Sequence, residues 1–153
     1  MAEKYVYGPF AHRVGHDFDR ADLEFYGINH FRPSFEVEIY LNDKAVTPKN
    51  AGEKRKSYAG RFSMLGHREC FGDEGHCHVP TTNRRFDDRP SHPLTRAFRR
   101  VEVTDALKKV YKKADKLTVT LIVTPNAPFK KTRDHKHDDK LFDITGMQLV
   151  TYG

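Results

Sequence analysis

Two stretches of strict two-residue alternation limit what this chain can fold into. In "FEVEIYLN" (residues 35–42), Phe35, Val37, Ile39 and Leu41 fall on one face and Glu36, Glu38, Tyr40 and Asn42 on the other. In "LTVTLIVT" (117–124), Leu117, Val119, Leu121 and Val123 alternate with Thr118, Thr120, Ile122 and Thr124. A period of two is the signature of a strand with one face in a core. The β-branched residues of the second stretch fit a pleated surface, and Pro125 ends it.

Shorter alternating stretches lie between and after these: "YAGRFSMLG" (58–66), "FRRVEV" (98–103) and the tail "FDITGMQLVTYG" (142–153), which supplies one or two closing strands. The stretch "NDKAVTPKNAGEKRK" (42–56) reads as a polar loop. One segment has helical spacing. With Thr104 as N-cap, "DALKKVYKK" (105–113) places Ala106, Leu107, Val110 and Tyr111 on one side, with lysines in the last turn where the helix dipole favours them. Nothing supplies the crossover helices of a parallel sheet. Short strands, polar loops and one brief helix therefore predict an all-β fold, an antiparallel β-sandwich with one short helix. A chain of 153 residues suits a single domain spanning 1–153.

Hydrophobic residues make up 37% and charged ones 31%, and no apolar run approaches the roughly 20 residues of a membrane span, so no membrane crossing is expected. The net charge of +6 allows acidic partners. The basic pairs are interrupted by acids, however, and lack the Gly/aromatic signature of an RNA-binding sheet, so no nucleic-acid partner is expected. The Met1-Ala2-Glu3-Lys4 start has no apolar signal core. The chain is accordingly cytosolic or a mature fragment with an added initiator.

The stretch "GHRECFGDEGHCHVP" (66–80) holds both cysteines and three of the nine histidines. Cys70 and Cys77 enclose a loop with Gly72 and Gly75, which can take the positive φ angles of a tight turn. Bridging them would stabilise the fold by about 2.5 kcal/mol on a chain-entropy estimate. It would also place the chain in an oxidising compartment, outside the cell, as a secreted mature fragment. Free thiols are the alternative. His76 and His78 are two apart, so on a strand both rings share a face, and His67 could complete a three-nitrogen set suited to copper or zinc. His92 is a fourth candidate, and surface histidines beside a turn are the alternative. His12 with His16, and "DHKHDD" (134–139), are weaker cation candidates. A blue-copper loop does not fit, because Cys77 is followed directly by His78 and the next methionine is Met147. No GxSxG, P-loop or dinucleotide fingerprint occurs, and no catalytic residue is assigned.

Four segments together carry a resemblance: "RADLEFYGINHFRPSFEVEIYLN" (20–42), "YAGRFSMLGHRECFGDEGHCHVP" (58–80), "HPLTRAFRRVEVTDAL" (92–107) and "KLTVTLIVTP" (116–125). With their A-G-x-F and V-T-D-A-L elements they resemble the C-terminal β-domains of the tyrosinase and molluscan haemocyanin superfamily, above all its cupredoxin-like extra domain. The resemblance implies a cupredoxin-like, Greek-key sandwich. It also implies a non-enzymatic accessory role, in which such a domain packs on a dicopper helical domain, shields its site or joins subunits. The partners would be subunits of a copper protein, or a second copy. The helix-borne histidine triplets of a dicopper centre are missing from this chain. The competing expectation is a free-standing copper-binding protein that uses His67, His76 and His78 beside the Cys70–Cys77 bridge.

Overall fold

The computed structural model describes residues 1–11, 17–30, 32–66, 85, 95–111, 116–126 and 140–153. Among them are seven strands and one helix: β1 (Glu3–Ala11), β2 (Arg20–Ile28), β3 (Phe35–Leu41), β4 (Tyr58–Met64), β5 (Ala97–Glu102), α1 (Thr104–Tyr111), β6 (Lys116–Pro125) and β7 (Gly146–Tyr152). The strands form a four-stranded sheet in the order β1-β6-β3-β4 and a three-stranded sheet in the order β5-β2-β7. Every pairing is antiparallel. The two sheets enclose one core, as the alternating stretches predict for a β-sandwich.

The predicted inward set is the observed one. Phe35, Val37, Ile39 and Leu41 of β3 and Leu117, Val119, Leu121 and Val123 of β6 are all buried in that core. They meet Ala21, Leu23, Phe25 and Ile28 of β2, and the Phe25 and Phe62 rings contact across the sheets at 5.1 Å.

The outer face of the four-stranded sheet departs from the expectation of a half-buried strand. Tyr40 and Ile122, assigned to the polar side by alternation, are fully covered and form a second cluster with Val46. The loop after β3 does the covering. Asp43 anchors it by accepting hydrogen bonds from the Ala45 and Val46 amides, from Arg55 Nε at 2.7 Å and from Ser57 Oγ at 2.6 Å. Asn42, in the left-handed region at φ 51°, accepts from the Thr118 amide at 2.8 Å and donates its own amide to the Thr118 carbonyl. The Tyr40 hydroxyl accepts from the Gly52 amide at 2.7 Å.

The helix starts at Thr104 itself, so its cap lies one residue earlier than predicted. The Leu107 amide donates to the Val103 carbonyl at 2.8 Å, so Val103 opens the ladder and Thr104 is already helical. The Thr104 hydroxyl does not cap the helix. It accepts from the Ala21 amide and donates to Glu102, each at 3.0 Å, which ties α1 to β2 and β5.

The two open sides of the sandwich are handled differently. Where β4 meets β5, Gly60 at φ +140° lies against Val101, and a Cβ there would come within 2.8 Å of the valine Cγ1, so only glycine permits the approach. Between β1 and β7 the seam is filled by Leu141 and Phe142. Their amides donate to Glu3 Oε2 and to the Tyr5 hydroxyl, each at 3.0 Å. Phe142 packs edge-on against Tyr5 and Phe35, at centroid distances of 5.7 and 5.9 Å.

Truncating this plug should be costly. Phe142→Ala is expected to lower unfolding free energy by about 3 kcal/mol, read from urea titration, through lost burial and the cavity left behind. The loop anchor should be sensitive to acid. Arg55 beside Asp43, helped by Ser57, holds the carboxyl at about 2 against an ordinary 3.8. A depressed pKa makes protonation favour the unfolded chain, so this contribution is whole above about pH 5 and lost as pH falls toward 2. Asp43→Asn should flatten that part of the acid limb in urea midpoints measured across the same range.

Candidate functional site

Among the described residues no loop or helix is laid over the outer face of the three-stranded sheet. β2 alternates strictly, with Ala21, Leu23 and Phe25 in the core and Arg20, Asp22, Glu24 and Tyr26 opposite. Directly paired residues share a face. Glu24 pairs with Arg100 of β5 and Gln148 of β7, Asp22 with Glu102 and Val150, and Arg20 with Tyr152. One charged row therefore crosses the sheet, with aromatic side chains around it.

Despite facing outward, the two β2 carboxylates are shielded from water. Asp22 is 0% and Glu24 4% exposed. A buried carboxylate needs partners, and these have them. Arg20 Nε donates to both Asp22 oxygens, at 2.9 and 3.1 Å. Arg100 lies between the two acids, 2.7 Å from Glu24 Oε1 through Nη2 and 3.7 Å from Asp22 Oδ2 through Nε. Gln148 donates to Glu24 Oε2 at 2.8 Å and to the Tyr26 hydroxyl at 2.7 Å, and Tyr26 donates to the same Glu24 oxygen. The hydrogen bond from Tyr26, then those from Gln148 and Arg100, hold the Glu24 carboxyl below its ordinary range against the opposing effect of burial. The same bond to Glu24 raises the Tyr26 hydroxyl.

Two guanidinium groups thus meet three carboxylates on this face, which is close to neutral although the chain carries +6. Around the row stand Tyr26, Phe98 and Tyr152, exposed at 37%, 43% and 42%. The Tyr26 and Phe98 rings lie 5.1 Å apart, and the Arg100 guanidinium sits 5.9 Å from the Phe98 centroid. Aromatic and arginine side chains are the types that protein interfaces favour. With their oxygens occupied by Arg, Gln and Tyr donors, Asp22 and Glu24 are poorly placed to take a proton from a substrate.

The predicted ligands His67, His76 and His78 and the pair Cys70 and Cys77 lie outside the described residues, as do His12, His16, His92 and the 134–139 stretch. Just before them, the Gly66 amide donates to Ser34 Oγ at 3.0 Å. Among the described residues no group of three or more His, Cys, Asp or Glu is arranged to hold a metal. The histidine they do include, His30, has its Nε2 2.6 Å from the Thr95 carbonyl oxygen. Copper takes several imidazole or sulfur ligands, so the described residues do not fit it. The charged row was missed in the sequence, yet its signal is there: "RADLEFY" (20–26) alternates as regularly as β3 does.

Neither a protein-family profile nor a curated protein matches this chain. Among solved structures it is similar to latent aurone synthase, a polyphenol oxidase, from natural source, with a TM-score of 0.49 and 14% identity over 99% of this chain and 24% of that one. Recombinantly expressed latent aurone synthase co-crystallised with hexatungstotellurate(VI) gives 0.49 and 12%, again over 99% and 24%. The same recombinant complex soaked in H2O2 gives 0.46 and 13% over the same shares. This chain therefore spans 24% of the length of the polyphenol oxidase chains it is similar to, and a likeness so distant carries no activity across.

Proposed function

We propose that this chain is a non-catalytic accessory module that docks on a dicopper helical domain of the tyrosinase or haemocyanin type, shielding it or joining its subunits. The outer face of the β5-β2-β7 sheet is the docking surface. One observation carries this reading. The loop after β3 covers the Tyr40 and Ile122 centre of the four-stranded sheet's outer face, whereas among the described residues the three-stranded sheet keeps Tyr26, Phe98 and Tyr152 exposed around the paired Asp22 and Glu24. Asp22 and Glu24 are already out of water and paired, so covering the face adds little to their desolvation. The sandwich fold and the four segments that resemble the superfamily's C-terminal β-domains support the identity of the partner. In this reading copper belongs to the partner domain, and the module works outside the cell, where a Cys70–Cys77 bridge would persist.

The test is association with a tyrosinase- or haemocyanin-type dicopper domain, followed by size exclusion and cross-linking. Phe98→Ser combined with Tyr152→Ser should weaken association by at least about tenfold, the loss of roughly 1.4 kcal/mol from two anchors. The thermal midpoint should fall by only a few degrees, because neither side chain is part of the buried core. The His76→Ala/His78→Ala variant should dock as the unaltered chain does. No association with any copper-protein subunit or with itself, or association indifferent to Phe98 and Tyr152, would remove the proposal.

A further inference from the structure

The seam between β1 and β7 is plugged along only part of its length. Near the start of β1, Leu141 and Phe142 fill it and are tied to Glu3 and Tyr5. Toward the end of β1 it opens as a cleft of about 330 Å3 lined by Tyr7, Phe10, Ile144, Thr145 and Met147. A bulge builds this cleft. β1 advances three residues from Tyr7 to Phe10 while β6 moves two, from Val119 to Leu117, so Phe10 turns to the core side as Tyr7 does. Without the extra residue Pro9 would face inward and the Phe10 ring outward.

Tyr7, Phe10, Ile144 and Met147 all pack on the main core, so the floor of the cleft is the core itself. Among the described residues nothing hydrogen-bonds the Tyr7 hydroxyl. Burial, with the Asp143 carboxylate nearby, raises its pKa, so it remains a protonated donor through the neutral range. Asp143 is in turn paired with Arg96 at 3.0 Å, which leaves little net charge at the mouth.

We propose that this cleft binds a small, flat, neutral heteroaromatic molecule of about two fused rings, packed on Phe10, Ile144 and Met147 and accepting a hydrogen bond from the Tyr7 hydroxyl. The volume is at the low end of small-molecule sites, which run from about 300 to 1,000 Å3. Ring faces and a thioether favour a planar aromatic guest. A lone donor selects an acceptor. With Asp143 already paired to Arg96, neither an anion nor a cation gains from a net charge there.

Quinoline, uncharged in neutral solution and carrying one ring acceptor, is the probe. It is titrated into the full chain while the Ile144 and Met147 methyl signals are followed by NMR. The expected result is saturable shifts at those methyls, with a dissociation constant on the order of 1 mM or tighter for a probe of about ten heavy atoms. Binding should be about fivefold weaker in Tyr7→Phe, as for one lost hydrogen bond. It should be abolished in Ile144→Trp, which fills the cleft. Tyr7→Phe removes a single oxygen, so it decides the matter even where Ile144→Trp fails to fold. Absence of a saturable shift, or equal affinity in Tyr7→Phe, overturns the proposal. So do shifts of the same methyls with protein concentration alone, which would give the cleft to a second copy.

Discussion

The pairing of β3 with β6 is the constraint on which the rest of the structure depends. It runs in unbroken antiparallel register from Phe35 opposite Pro125 to Leu41 opposite Val119. The inner face of the pair is buried against β2, and the outer face, around Tyr40 and Ile122, lies under the loop anchored by Asp43. Neither strand can leave without exposing two apolar clusters at once, which is why β1 and β4 can sit at the edges of the sheet and simply add to it. The loop is part of the fold for the same reason. It supplies the second face that Tyr40 and Ile122 require, and its side-chain hydrogen bonds hold it down in place of a further strand.

The opposite sheet solves a different problem. β2 is its centre, so its outward positions lie between two neighbours even though no layer of the described residues covers them. A carboxylate there loses water to flanking side chains, and Arg20, Arg100, Gln148 and Tyr26 restore what it loses. The outcome is a surface with fixed side chains, little net charge and a rim of rings. These properties suit a face that is to be covered.

The strand cores were legible because alternation is a direct image of the pleat. Phe35 to Leu41 and Leu117 to Val123 needed only a period of two. What escaped had physical reasons. β1 is interrupted by Gly8 and Pro9, and its bulge breaks the period in the middle. β2 carries three charged residues in its first five positions, which mimics a surface segment unless the cross-strand arginine is known, and that partner lies 76 residues away. Thr104 has the residue type of a cap, but its hydroxyl is claimed by a strand 83 residues distant. Burial of Tyr40 depends on how a polar loop folds back, which no local pattern encodes. The copper and disulfide expectations rest on residues outside those described, so the surface that emerged as the candidate site is a different one.

The bulge in β1 and a like one in β2 have a common consequence for how such a chain can vary. β1 and β2 each insert one residue, before Phe10 and before Ile28, and each insertion restores the inward phase of the residue that follows. Strand length there is counted in odd and even steps, so deleting a single residue would rotate everything downstream by half a turn, whereas exchanging one side chain for another leaves the phase intact. Drift within these two strands should therefore alter letters freely and their number hardly at all.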